Sequence, residues 1–468
     1  MTRRQLGRLA AGLPLVQRAA SRPSVVLITG DHLRWDHVGA NGNPYIRTPA
    51  MDRVAREGVT FTLCTTVGVA CAPNRASLFT GRYPNAHRLM TNGIPMPQGE
   101  VTLTHVLREA GYYTGQMGKL HFLPHSGRNH REPHPPYGFH QMRISDEPGC
   151  YDDAYGLWLD AQGPEVRRKA NVKMPGQRGV FEYYTFEGDE RTTHAHWVAS
   201  ETVRFIEENR SRPFFVHAGF YAPHPPLNPP ASMLALYKDA KLPPRHWRAD
   251  EAERLPRPMR QAVERLAATP EDTWTAYRRH FYAMVSELDR NIGRILDAVD
   301  PANTIVVITS DHGDYLGDHS MTGKSAIPYD GAMRIPLLMR GPGVARASRS
   351  EEVVEVVDVM PTLLELLGLP LPKGNQGTSL VAAMKGGKGK EAALMQSPNN
   401  RILRTKAAKY CCWSSGEEAL FDLGADPHEL RNVAAEAGSK ALLDQMRQRL
   451  LRRSIEVQDP LPERVAPY

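Results

Sequence analysis

Two acid–histidine pairs stand out for their chemistry and their placement. Asp31 and His32 follow the short apolar, β-branched run Ser24 to Thr29 (SVVLIT) and Gly30, and Asp311 and His312 follow Thr304 to Thr309 (TIVVIT) and Ser310. Such runs are typical of strands buried on both faces of a parallel sheet. Ligand sites of open α/β sheets lie beyond the carboxyl ends of strands. Brought together there, the two pairs offer oxygen and nitrogen donors for a divalent cation. One pair alone reads equally well as a turn acid and a hydrogen-bonded loop histidine; the repeat at two matching strand ends points to a metal.

Between the pairs lies Cys71 to Arg82, CAPNRASLFTGR. Pro73 to Thr80 reads as a helix with proline in its first turn and Gly81 as its stop. Cys71 then sits at the helix N-terminus, which stabilises negative charge and favours thiolate or other anion chemistry. Arg75, one turn in, reaches back toward it. A buried structural cysteine beside a surface arginine would show the same local pattern.

The elements that must position these groups alternate between strand and helix. A helix is predicted from Pro49 to Gly58 with Thr48 as N-cap, a strand over Val59 to Leu63, and a helix over Leu103 to Ala110. From Lys119 to about His194 periodicity fades. His194 to Asn209 and Asp272 to Val299 read as helices, Pro213 to Ala218 and Ile335 to Met339 as strands, and Val359 to Leu367 as a helix. Beyond Gly386 short strands are expected at Ala393 to Gln396, Ile402 to Trp413 and Leu420 to Leu423, then a last helix from Lys440 to Arg452. This order predicts an α/β fold: a large, mostly parallel central sheet sandwiched by helices, with a smaller C-terminal α+β subdomain. The expected divisions are a leader over 1–22, a catalytic domain over 23–385 and a subdomain over 386–468.

CAPNR followed by ASLFTGR resembles the signature of the type I, formylglycine-dependent sulfatases of the alkaline phosphatase superfamily. Further segments resemble that family in its own order: TPAMDRVAREG from Thr48, GKLHF from Gly118, APHPP from Ala222, SDHG from Ser310, GDH from Gly317 with Gly323 and Lys324, Arg334-Ile335-Pro336, and LFDL with DPHELRN from Leu420 to Asn432. The resemblance implies an alkaline-phosphatase-like fold and hydrolysis of a sulfate ester to an alcohol and inorganic sulfate. It implies oxidation of Cys71 to formylglycine by a formylglycine-generating enzyme, and one divalent metal held by Asp31, His32, Asp311, His312 and Cys71. That metal is Ca²⁺ in most of the family, with Mn²⁺ or Mg²⁺ as alternatives. Arg75 would orient the nucleophile. Lys119 and Lys324 would clamp sulfate oxygens, His224 would protonate the leaving oxygen with Lys324, and His121 would take the last proton. Asn92 resembles an asparagine that touches the anion in some relatives.

Three positions depart from the family pattern. Asn74 stands where serine is common, His32 where aspartate or glutamine is usual, and Asp330 where a glutamate often precedes R-x-P. His32 with His312 moves the expected ion toward manganese, unless His32 points away from it. Two other readings compete: a phosphonate monoester or phosphodiester hydrolase on the same scaffold, and an inactive anion- or carbohydrate-binding homologue. The Lys119–His121 pair, which phosphonate-cleaving relatives often lack, favours sulfate. Tyr151, Tyr155, Trp158, Arg191 and His194 could stack on a sugar or aryl group, or pack a lid.

The 468 residues carry 58 Lys+Arg and 51 Asp+Glu, a net charge of +7. Four arginines in the first 21 residues account for more than half of it, and no basic stripe with interleaved aromatics is present. Nucleic acid is therefore not an expected partner; a small anionic ester is. No apolar run of about 18 residues exists, so no membrane span is expected. The run TRRQLGR from Thr2, followed by an apolar stretch, reads as a twin-arginine-like export leader to the periplasm or exterior; the alternative is a basic N-terminus on a cytoplasmic protein. Five cysteines at irregular spacing do not make a disulfide framework.

Overall fold

A computed structural model describes residues 22–170 and 180–462, so all but the last residue of the expected leader lies outside the described residues. Eight strands form the main sheet: β1 Ser24–Gly30, β2 Val59–Thr65, β3 Tyr113–Gly118, β4 Gln141–Ile144, β5 Phe214–Gly219, β6 Thr304–Ser310, β7 Arg334–Arg340 and β8 Ser348–Glu355. Their order is β4-β3-β5-β1-β6-β7-β2-β8. All neighbours are parallel except at β7, which runs antiparallel to both β6 and β2. The large, mostly parallel sheet is as the sequence predicts.

The period-two alternation of a strand decides which helix meets which residue. Val25 and Leu27 face one layer, with the helices Cys71–Thr80, Leu103–Glu109 and Val359–Leu366. Val26 and Ile28 face the other, with the helices Pro49–Glu57, His194–Glu208 and Glu271–Ala298. Both faces of β1 are therefore apolar, which is why its sequence is an unbroken apolar run.

A second, antiparallel sheet has the order β12-β11-β10-β9, from β9 Ala393–Gln396, β10 Asn400–Arg404, β11 Ala408–Trp413 and β12 Glu418–Asp422. The helix Lys440–Glu456 packs Leu443, Met446 and Leu450 into the same core as Leu394 and Leu403. Asp330 holds this unit to the main sheet through Arg404 and Lys409.

Several local expectations are corrected. Ile402 to Trp413 is not one strand but the hairpin β10–β11, with the pairing Leu403 opposite Tyr410. Thr48 does not cap the helix Pro49–Glu57; its hydroxyl donates to Asp52 and accepts from the Gly39 amide. The cap is Asp289 of the long helix, whose carboxylate accepts from the Ala50 and Met51 amides at 3.0 and 2.8 Å. The irregular stretch after Lys119 contains β4 and the helices Ala154–Gln162 and Pro164–Ala170. Edge strand β8 was not anticipated. Cys64, Cys71, Cys411 and Cys412 are free thiols.

Candidate active site

Four adjacent strands, β3, β5, β1 and β6, end on one side of the sheet, and their carboxyl ends lead directly into Lys119, the Tyr221–His224 loop, Asp31-His32 and Asp311-His312. β2 points the same way, because two antiparallel pairings through β7 restore its direction. The helix that follows β2 therefore starts at the same edge, and Cys71 is its first residue. Gly118 and Gly219 permit this convergence. A Cβ at Gly118, where φ is +84°, would lie 2.2 Å from the Gly219 carbonyl, and one at Gly219 would lie 2.0 Å from the Lys119 carbonyl.

Asn74 builds the approach to Cys71. Its side-chain oxygen accepts from the Val67 and Gly68 amides at 3.0 and 2.8 Å, and its Nδ2 donates to the Gly68 and Ala70 carbonyls at 3.1 Å each. The departure from serine thus has a structural role: one buried amide clamps the loop before the helix. Asn92 is exposed, and its side-chain oxygen accepts from the Ala72 amide at 3.0 Å.

Around Cys71, which is 1% exposed, charges are packed in alternation. Its Sγ lies 3.2 Å from His312 Nε2 and 3.9 Å from Asp31 Oδ1. Arg75 donates from Nε to Asp311 at 2.9 Å, from a terminal nitrogen to Asp31 at 3.3 Å, and to the Lys119 carbonyl at 3.1 Å. Lys119 Nζ is 2.6 Å from Asp31 Oδ2 and lies over the Tyr221 ring. Lys324 Nζ donates to His32 Nε2 at 2.9 Å and also bonds Cys71. Burial and Asp31 push the Cys71 thiol up, but Lys324, His312 and Lys119 outweigh them and hold it well below its ordinary value. Burial raises Asp31 too, yet Lys119, His224, Arg75 and Lys324 keep it well below the usual carboxylate range.

A carboxylate oxygen each of Asp31 and Asp311, a ring nitrogen of His312 and Sγ of Cys71 all lie within 4.8 Å of one another. Two hard oxygens, one imidazole and a deprotonatable group at position 71 fit a divalent cation. His32 is not in this group. Its Nδ1–H donates to Asp314 at 2.6 Å and its Nε2 faces Lys324. It forms a second group with Asp31 and His224. His32 and His121 both have positive φ, +67° and +58°, an uncommon conformation for residues other than glycine.

His121 is buried beside Lys119 and stacks on His125 at 3.9 Å; burial first, then Lys119, lowers its pKa to about 3. His224 donates from Nδ1 to the Pro225 carbonyl at 2.6 Å, and its ring meets that of His32 edge-on at 4.4 Å.

Sequence reasoning missed two supporting carboxylates. Asp314 fixes His32 and also accepts from the Leu316 and Gly323 amides; its signal was the second acid of Asp311-His312-Gly313-Asp314. Asp146 accepts from the Leu120 and His121 amides, both at 2.8 Å, and so holds the turn carrying Lys119 and His121. It lies just past β4, where no periodicity marked it. Tyr155 and His194 pack inside the protein, Tyr155 donating to the Thr192 carbonyl. Arg191 is exposed and paired with Asp189, and Tyr151 stacks on His130.

The sulfatase family profile matches residues 23–369, and an N-sulphoglucosamine sulphohydrolase C-terminal profile matches 317–456. The chain belongs to the sulfatase family. It is a sulfuric ester hydrolase on the alkaline phosphatase superfamily fold. An arylsulfatase of Clostridium perfringens is 29% identical, over 92% of this chain and 94% of that one. A multifunctional alkaline phosphatase superfamily protein of Trinickia caryophylli is 29% identical, over 92% and 95%. Among solved structures, the phosphonate monoester hydrolase of Agrobacterium radiobacter superposes with a TM-score of 0.81 at 26% identity, covering 94% of this sulfatase and 97% of that chain. Among the described residues, no helix is long and apolar enough to cross a membrane.

Proposed function

We propose that this sulfatase cleaves a small anionic sulfate ester with position 71 carried as formylglycine, after action of a formylglycine-generating enzyme on Cys71. The observation that carries this reading is the convergence of three cations, Arg75, Lys119 and Lys324, with two carboxylates and His312 around one buried thiol at a helix N-terminus. Asp31, Asp311, His312 and position 71 would hold one divalent metal. When bound, the metal and formylglycine supply an oxygen nucleophile of lowered pKa at that position.

The remaining work falls to the chain's own side chains. Lys119 and Lys324 bind the sulfate oxygens and offset charge that develops on them in the transition state. Arg75 keeps Asp31 and Asp311 apart and oriented. His224, its Nδ1–H tied to the Pro225 carbonyl, turns Nε2 toward the leaving oxygen, which takes its proton from the Lys324 ammonium beside it. His121, kept neutral by burial and with Nδ1 unpaired among the described residues, accepts the proton released as sulfate departs. Asn92 holds the first turn of the helix through the Ala72 amide and stands beside the anion.

The likeness to a phosphonate monoester hydrolase favours a second reading, cleavage of phosphonate monoesters or phosphodiesters. Lys119 and His121, both buried beside Asp31 or Arg75, favour sulfate. Peptide mass spectrometry across Cys71, on protein made in a host with the maturing enzyme, should show formylglycine. At matched leaving group, kcat/KM for an aryl sulfate should exceed that for an aryl phosphodiester and a phosphonate monoester. A phosphorus ester preferred by orders of magnitude would replace the sulfate reading, and an unmodified thiol with retained anion binding would point to an inactive homologue.

A further inference from the structure

We infer, resting on the part that the proposed function gives Lys324, that Arg34 is a positioning residue: it fixes the backbone that presents Lys324 to position 71. Arg34 is 5% exposed and lies three residues beyond Asp31. Its Nε and Nη2 donate to the two oxygens of Asp36 at 2.8 and 2.7 Å. Nη2 also donates to Asp318 at 2.8 Å, and Nη1 donates to the Asp314 and Tyr315 carbonyls at 3.0 and 2.9 Å. Every N–H of the guanidinium is thus used. Two glycines clear its path: a Cβ at Gly331 would lie 3.0 Å from Arg34 Nη1, and one at Gly313 would lie 3.3 Å from its Cγ.

The two carbonyls that Arg34 holds belong to the residues that anchor the chain just before Lys324. Asp314 Oδ1 accepts from the Gly323 amide at 2.9 Å, and the Gly323 carbonyl accepts from the Tyr315 amide at 3.0 Å. Gly323 is therefore tied on both sides to Asp314 and Tyr315, and through them to Arg34. From that anchor the Lys324 ammonium reaches His32 Nε2 at 2.9 Å and also position 71. The intervening segment is strained. Leu316, Gly317, His319 and Ser320 have φ of +50°, +98°, +55° and +55°, a region that residues with side chains occupy when their surroundings impose it. Arg34 supplies one restraint through Asp318, whose other oxygen accepts from the His246 amide at 2.8 Å. Arg245 supplies another, donating to Ser320 Oγ at 2.9 Å. A lysine at position 34 would keep the charge but offer only three donors and no planar fork.

The test is a double-mutant cycle on the whole, matured protein, with an aryl sulfate as substrate. Arg34→Met should lower kcat about 100-fold, the effect of a misplacement of roughly 1 Å, and should change KM less. In a Lys324→Met background the same substitution should change kcat less than about threefold, because Arg34 acts through Lys324. Arg34→Met at the parent's kcat, or equal fold losses in both backgrounds, would overturn the proposal. Hydrogen exchange across residues 315–323 needs no ester; it should be faster in Arg34→Met and unchanged in Lys324→Met. Exchange at the parent's rate in Arg34→Met would overturn the proposal even in an active sulfatase. A parent without sulfate-ester turnover would instead refute the proposed function, and faster exchange in Arg34→Met would still support Arg34 as the anchor. If Arg34→Met does not fold, Arg34→Lys replaces it in both measurements, with a smaller loss of kcat expected and the parent's values as the refuting result.

Discussion

Asn74→Ala should loosen one short loop and little else. Asn74 is fully buried, and its amide accounts for the hydrogen bonds of two backbone N–H groups, Val67 and Gly68, and serves two carbonyls, Gly68 and Ala70. Alanine removes the acceptor without replacing it. Leaving a buried amide unpaired costs about 1–3 kcal/mol, so local opening should become about 5- to 150-fold easier at each amide, at roughly tenfold per 1.4 kcal/mol. Hydrogen exchange measured on a peptide spanning residues 66–70 reads this directly. Asn74→Asp keeps the acceptor oxygen and should keep Val67 and Gly68 slow. Exchange at the parent's rate in Asn74→Ala would show that the loop does not depend on the clamp. Acceleration that also reached β1 and β6 would show a global effect and defeat the local argument.

Glu287 is buried with Oε1 unpaired among the described residues, and burial pushes its pKa up to about 7 from 4.5. The folded chain therefore binds a proton that the unfolded chain has lost between those values. The associated stability is complete below about pH 4.5 and is lost as pH rises through about 7. Glu287→Gln should raise the free energy of unfolding at pH 8 but not at pH 4.5, by at most about 3 kcal/mol at ~1.4 kcal/mol per pH unit; an equal gain at both pH values in denaturant unfolding would refute the burial argument. Asp146→Ala should free the Leu120 and His121 amides and misplace Lys119 and His121, lowering kcat by about 100-fold. Asp146→Asn, which keeps an acceptor oxygen, should recover most of it, and a change in KM alone would contradict a positioning role. Arg75→Met strips Asp311 of its guanidinium partner inside the protein and should cost about 3–5 kcal/mol in denaturant unfolding; a neutral result would mean that the two carboxylates are not held by this ion pair.

Much of the site was legible in the sequence because its signals are local. β1 and β6 are covered on both faces, so they had to be continuous apolar runs, and the polar residues ending them had to emerge at the sheet's edge. Proline near the start and Gly81, whose φ is +64° and whose amide bonds the Ser77 carbonyl, delimit the helix that carries Cys71. Those features need only neighbours in the chain.

What the tertiary structure decided depends on partners far away in sequence. That β7 is antiparallel follows from hydrogen bonds to β2 and β6, which its apolar composition does not encode. The short strand β4 is only half-buried, and β8 mixes exposed and buried positions, so neither has a continuous apolar run. Thr48 had the right residue type for a cap, yet Asp289 reached the helix end first. The nitrogen that His32 presents is set by Asp314, and what that nitrogen faces is set by Lys324. A hydrogen bond depends on distance and angle between atoms, and those are properties of the folded packing rather than of residue order.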